Sequence, residues 1–159
     1  MVSTARKYVM LPLVVSVIVL ADQLSKRWVM AHLPFGQPWN PVQFLRPVVT
    51  LTYVTNDGIA FGLLQGWGNR FAGVAFVAIA GILAYYVRQS LGRWLVELSL
   101  GLVLGGTIGN LLDRLTYDGH VIDFIDFGIW PVFNIADSAV FIGMILLAYH
   151  LWQDRESSG

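Results

Sequence analysis

The sequence contains no cysteine, which excludes disulfides, thiolate nucleophiles and thiolate metal sites. Charge is scarce as well. Asp, Glu, Lys and Arg make up 13% of the 159 residues, against about 25% in an ordinary soluble domain. The ten basic and ten acidic residues cancel, so no net positive charge points to a nucleic-acid partner. Histidine is sparse and scattered, at His32, His120 and His150, and no H-E-x-x-H occurs; zinc chemistry lacks its usual ligand spacing. No G-x-S-x-G is present, so a serine nucleophile elbow has no support.

What remains is apolar. Hydrophobic residues make up 56% of the chain and the mean hydropathy is +0.63, a membrane-protein composition. The length suits one compact helical unit over residues 1–159, with no room for a separate soluble domain. Four spans are predicted, at about 8–30, 67–87, 94–112 and 135–152. The first starts from the apolar run Tyr8 to Ala21, behind Arg6 and Lys7. That run is too short to span alone, but a helix continuing to about Met30 reaches spanning length. A cleaved signal peptide ending at Val19-Leu20-Ala21 competes with this reading, although no polar region precedes such a site. In the third span Gly101, Gly105 and Gly109 recur every four residues, a spacing that lets another helix approach closely.

Between the first two spans, an outer loop of about 32–60 is broken by Pro34, Pro38, Pro41 and Pro47. The β-branched stretch Val48 to Thr55 inside it reads as a strand. A lone strand in lipid would leave its backbone unsatisfied, so this segment belongs in a small sheet outside the hydrocarbon. Asn56-Asp57-Gly58 gives a turn. A loop is expected from about Leu115 to Phe133, with a turn at Asp118-Gly119, and Asn134 as the N-cap of the fourth span. The expected fold class is an all-α membrane protein with four transmembrane helices and a small extracytoplasmic β-sheet. Trp28, Trp67, Trp94, Trp130 and Trp152 fall near span ends, as an interfacial belt requires. Basic residues divide evenly between the two sides. Arg6, Lys7, Arg88 and Arg93 directly flank spans, which favours cytoplasmic termini.

The polar residues gather at the opposite ends of the spans. Asp22 and Lys26, four apart, share one helix face. Asn56, Asn110, Asp113 and Arg114 belong to the same side, as do Asp123, Asp126, Asn134 and Asp137. Ionisable groups inside spans are costly and mark function. Each also has a plainer reading: Asp22 and Lys26 as an ion pair, Asn56 and Gly58 as turn chemistry, the glycines as packing, Asp126 as an interfacial carboxylate. Two nearby carboxylates share a proton, so one serves as general base on water and the other as general acid. Spacing alone leaves two alternatives open. One is a magnesium site using Asp113, Asp123 and Asp126. The other is a proton or ion carrier, although transport sites sit near mid-membrane.

Five blocks occur in order: D-Q-L-S-K (22–26), N-D-G-I-A-F (56–61), G-G-T-I-G-N-L-L-D-R (105–114), V-I-D-F (121–124) and F-N-I-A-D (133–137). With four spans and a strand-rich first loop, the chain resembles lipoprotein signal peptidase, the bacterial type II signal peptidase family. A few residues around Tyr117 to Gly119 are a small departure in loop length. The resemblance implies a polytopic aspartic endopeptidase of the bacterial cytoplasmic (inner) membrane, without metal or other cofactor. It implies Asp123 and Asp137 as the catalytic pair, supported by Asp22, Lys26, Asn56, Gly58, Asn110, Arg114 and Asn134. The substrate would be a diacylglyceryl-modified prolipoprotein, cut just before its lipidated Cys at the extracytoplasmic face. Membrane lipids and globomycin-type inhibitors are the other implied partners. Reporter fusions after residue 90 and at the C-terminus should then report cytoplasm, and one near Gly119 the opposite side; an extracytoplasmic signal after residue 90 overturns this orientation.

Overall fold

The computed structural model describes residues 9–42, 44, 48–58, 66–88 and 94–156. In chain order the elements are α1 (Met10–His32), β1 (Pro38–Trp39), β2 (Thr50–Asn56), α2 (Gly68–Arg88), α3 (Trp94–Thr116), β3 (Val121–Asp126) and α4 (Ile135–Glu156). Arg6, Lys7, Arg46, Arg93, the Ile59-Ala60-Phe61 end of the second block and the closing Ser-Ser-Gly lie outside the described residues.

By length and composition, α2, α3 and α4 can cross a membrane. The 23 residues of α1 reach about 35 Å at about 1.5 Å per residue, but Asp22, Lys26 and Arg27 load its second half with charge. Asp22 and Lys26 are turned inward and fully buried.

The other helices pack around α3. One face of α3 carries Gly101, Gly105 and Gly109 against Val14, Ile18 and Asp22 of α1; a Cβ on Gly105 would lie 2.9 Å from the Ile18 Cβ. The adjacent face is opened by Gly106, where a Cβ would collide with the Ala136 carbonyl at the start of α4. Backbones therefore approach closely on both sides, as small residues at helix interfaces allow. Toward the terminal end, Leu11, Val96, Leu100 and Leu104 form the apolar core, with Ile79, Ile82 and Tyr86 of α2 and Leu147 of α4 against it.

The three strands form an antiparallel sheet in the order β1-β2-β3, with Val54 opposite Asp123 and Asn56 opposite Val121. Val29, Leu33 and Phe124 pack beneath it with Tyr53 and Ile135, seating the sheet on the ends of α1 and α4. The strand expected at 48–55 is β2. Its partner β3 falls inside the segment read as loop (115–133). Two aspartates in V-I-D-F-I-D weaken its strand signal, and the ladder to β2 overrides that preference. The third helix also runs beyond the expected 112, so Asp113 and Arg114 are helical. The hydrophobic run ends there, and the helix continues past it. The Tyr117–Gly119 turn has a packing role: Gly119 (φ +91°) lies against Gly68 and Asn69 at the start of α2.

Replacing Gly106 by Val should lower stability by about 1–3 kcal/mol through overpacking. Gly73 has open space around its Cβ position, so Gly73→Ala should be neutral or stabilising by up to about 1 kcal/mol. Thermal unfolding in detergent compares the two, and equal midpoints would contradict the packing account.

Candidate active site

Lys26 is the cation at the centre of the polar cluster. Its ammonium lies 2.8 Å from Asp22 Oδ2 and 2.7 Å from Asp113 Oδ2, and donates to Asn110 Oδ1 at 3.1 Å. Three donors meet three acceptors, which is what a buried ammonium requires. Four-residue spacing on α1 brings Asp22 to Lys26, and the α1–α3 approach brings Asn110 and Asp113. Gly109 makes room: a Cβ there would lie 2.7 Å from Asp22 Oδ2.

From Lys26 the polar contacts run outward through two carboxamides. Asn110 Nδ2 donates to Asp137 Oδ1 at 2.7 Å, while its Oδ1 also accepts from Asn134 Nδ2 at 3.0 Å. Asn134 caps α4 as expected: its Oδ1 accepts the Asp137 N–H at 2.8 Å. Its Nδ2 donates to Asp123 Oδ1 at 2.7 Å. From the sheet side, Asn56 Oδ1 accepts the Gly58 N–H at 3.0 Å, which fixes the turn and aims Nδ2 at Asp123 Oδ2, 3.2 Å away. Both oxygens of Asp123 thus carry a carboxamide donor.

Asp123 is 2% exposed. Burial, reinforced by the charge of Asp137, pushes its carboxyl up from 3.8 to about 7, against the lowering effects of Asn56, Lys26 and Asn134. A carboxyl titrating near neutrality beside a second carboxylate suits general acid–base chemistry. Arg114 holds its guanidinium 5.8 Å over the Phe71 ring and within electrostatic reach of Asp137, Asp123 and Asp113. Its Nε is buried and has no partner among the described residues.

The fold therefore gathers Asp22, Lys26, Asn56, Gly58, Asn110, Arg114, Asp123, Asn134 and Asp137 in one place. It does not bring Asp126 along. That residue accepts from Thr52 Oγ1 at 3.0 Å and the Gly128 N–H at 2.7 Å, and its odd spacing from Asp123 puts it on the other face of β3. The trio considered for magnesium is thereby dispersed, with Asp113 drawn to Lys26, Asp126 to Thr52 and Asp123 to the carboxamides. Sequence reasoning missed Gln23. Its Nε2 donates to Asp113 Oδ1 at 2.8 Å and lies 3.2 Å from both Asp22 Oδ2 and Gly109 O. Its place three residues before Lys26 on the same helix face was the available signal.

A family model described as signal peptidase (SPase) II matches residues 14–153. The chain belongs to the signal peptidase II family. Among relatives of that family, the lipoprotein signal peptidase of Halothermothrix orenii is 42% identical over 147 residues, covering 92% of this chain and 98% of the relative. That of Moorella thermoacetica is 44% identical over 140 residues, covering 87% and 91%. Two solved structures described as bacterial membrane enzymes share the fold. One has a TM-score of 0.86 at 26% identity, over 94% of this chain and 91% of its own. The other has a TM-score of 0.80 at 27% identity, over 91% and 93%. As a signal peptidase II the chain is a peptidase, and its long apolar helices fit a multi-pass membrane protein.

The upward shift of the Asp123 carboxyl couples its protonation to folding. The neutral acid is favoured in the folded protein, so this group's contribution to stability is full below about 4 and is lost as pH rises through about 7. Vibrational spectroscopy should show a protonated-carboxyl band that titrates away near pH 7 and is missing in Asp123→Asn. A band that survives in that variant places the proton on another group.

Proposed function

We propose that this protein is an aspartic endopeptidase that removes the signal peptide from diacylglyceryl-modified prolipoproteins, cutting just before the lipidated Cys. The observation that carries this reading is the Asn110–Asn134 bridge, which ties Asp137 at the head of α4 to Asp123 on β3, with one of the two carboxyls titrating near neutrality. The names of the relatives point to the same substrate class.

Asp137 is the third residue of α4, where the helix dipole favours an anion by roughly 0.3–1 kcal/mol, up to about 2 when partly buried. Asp123 keeps the shared proton and Asp137 acts as the base, though the two titrate as a coupled pair. Asp137 takes a proton from water as the water oxygen attacks the scissile carbonyl carbon, and Asp123 gives its proton to the carbonyl oxygen. The tetrahedral diol then collapses. Asp137 returns its proton to the amide nitrogen while Asp123 takes one back from a diol hydroxyl, the C–N bond breaks, and the products are a signal peptide with a new carboxyl terminus and a lipoprotein with a free Cys amine. Asn56, Asn110 and Asn134 hold the two carboxyls. Gly58 fixes Asn56, Asp22 and Lys26 support Asn110 and the α4 start, and Arg114 balances the charge.

In this reading α1 is the first of four spans, since its two central charges face protein rather than lipid. Residues 1–159 form one unit in the bacterial cytoplasmic (inner) membrane, with cytoplasmic termini and the site at the extracytoplasmic face. The diacylglycerol holds the scissile bond at the membrane surface while its acyl chains lie among lipid or between spans. Globomycin-type inhibitors occupy the same site.

The purified protein should cleave diacylglyceryl-modified prolipoprotein but not the unmodified form, and globomycin should block it. Asp123→Asn and Asp137→Asn should each lower the rate by about 100-fold or more while remaining folded. Asp126→Asn should stay within about threefold of the native rate. Cleavage should decline as pH rises through about 7, where Asp123 loses its proton. An inactive Asp126→Asn beside an active Asp123→Asn would mean that the pair is misassigned.

A further inference from the structure

Asp113 takes no part in the hydrolysis just described, yet it is 1% exposed and both its oxygens are engaged. Oδ1 accepts from Gln23 Nε2 at 2.8 Å. Oδ2 lies 2.7 Å from the Lys26 ammonium and accepts the Ile122 backbone N–H at 3.0 Å. Asp22 alone would balance the charge of Lys26, at 2.8 Å. A second buried carboxylate is costly without further partners, so charge balance does not account for Asp113. The contact that Asp22 cannot supply is the one to Ile122.

Ile122 immediately precedes Asp123. Its peptide groups point out of the β2–β3 ladder into the cluster, where Asp113 takes the N–H and Asn134 Nδ2 lies 3.2 Å from the carbonyl. The other reacting carboxylate is held in the same manner. Ala136 immediately precedes Asp137, and its N–H donates to Asp22 Oδ1 at 3.0 Å. Each reacting aspartate therefore follows, by one residue, a backbone N–H held by a buried carboxylate. The two carboxylates share Lys26 and are bridged again by Gln23.

We infer that Asp113 is a positioning residue for Asp123: by holding the Ile122 N–H it fixes β3 against α3 and, through Lys26 and Asp22, sets the separation of Asp123 from Asp137. This rests on the reading of Asp123 and Asp137 as the reacting pair. Asp113 never touches substrate. Its loss lets the start of β3 shift, and a displacement of about 1 Å at a reacting group costs about 100-fold in rate.

The test uses full-length Asp113→Ala and Asp113→Asn, with Asp123→Asn and Asp137→Asn as controls. Initial rates on diacylglyceryl-modified prolipoprotein are measured for the folded, monodisperse fraction, and kcat and KM are separated. Asp113→Ala should lose about 100-fold in kcat with KM within about threefold. Asp113→Asn keeps one oxygen for the Ile122 N–H and should recover about tenfold over Ala. If Ala does not fold, Asn decides alone, with a partial loss in kcat and a shifted Asp123 carboxyl band expected. Native kcat in either folded variant overturns the positioning role. So does a loss carried by KM, or an Asn variant no better than a folded Ala. Inactive controls beside fully active Asp113 variants sink this inference alone, whereas active controls overturn it together with the assignment of the pair.

Discussion

The polar half of this protein depends on one buried ammonium. Removing Lys26 from water is unfavourable unless each of its three donors finds an acceptor, and the three acceptors come from two helices: Asp22 on α1, Asn110 and Asp113 on α3. Each acceptor is also committed elsewhere. Asp22 holds the start of α4, Asn110 holds Asp137, and Asp113 holds the start of β3. Satisfying one cation therefore fixes four elements relative to one another. Removing any acceptor would take one partner from Lys26 and one from the group that acceptor also holds: the Ala136 N–H, the Asp137 carboxylate or the Ile122 N–H.

That arrangement requires helices closer together than ordinary side chains allow. The glycines of α3 provide the space, with Gly101, Gly105 and Gly109 toward α1 and Gly106 toward α4. At the terminal end the close approach serves apolar packing of Leu11, Leu100 and Leu104. At the other end it admits the Asp22 carboxylate beside Gly109. One helix face thus serves packing along most of its length and chemistry at its tip.

The two central carboxylates differ because their scaffolds differ. Asp137 sits in the first turn of a helix beside a cap. Asp123 sits on a strand, almost wholly buried, with a carboxamide on each oxygen. Burial and the charge of Asp137 push the Asp123 carboxyl up to about 7, the feature that the proposed acid role of Asp123 uses. Asn56 joins the outer loop to this pair. Its oxygen closes a turn while its nitrogen reaches Asp123, so the geometry of the loop is felt at the site.

The helices, the β2 strand, the Asn134 cap and the crowding of polar groups at one end were all legible in the sequence, because hydrophobic runs, β-branched stretches and capping residues act over a few neighbours. The place of Asp123 was not. V-I-D-F-I-D reads as loop until β2 offers a ladder, and that partner lies some 70 residues upstream, as the pairing of Thr55 with Ile122 shows. Spacing alone left Asp113, Asp123 and Asp126 open as a joint magnesium set, and only tertiary contacts gave them different partners. Gln23 was hidden for the same reason, since its value lies in what α3 presents to it. The sequence by itself determined which segments are helical, which stretch between the first two helices is a strand and which residue types crowd at one end. The tertiary structure decided which carboxylates meet, because a buried charge is tolerated only where distant parts of the chain bring it a partner.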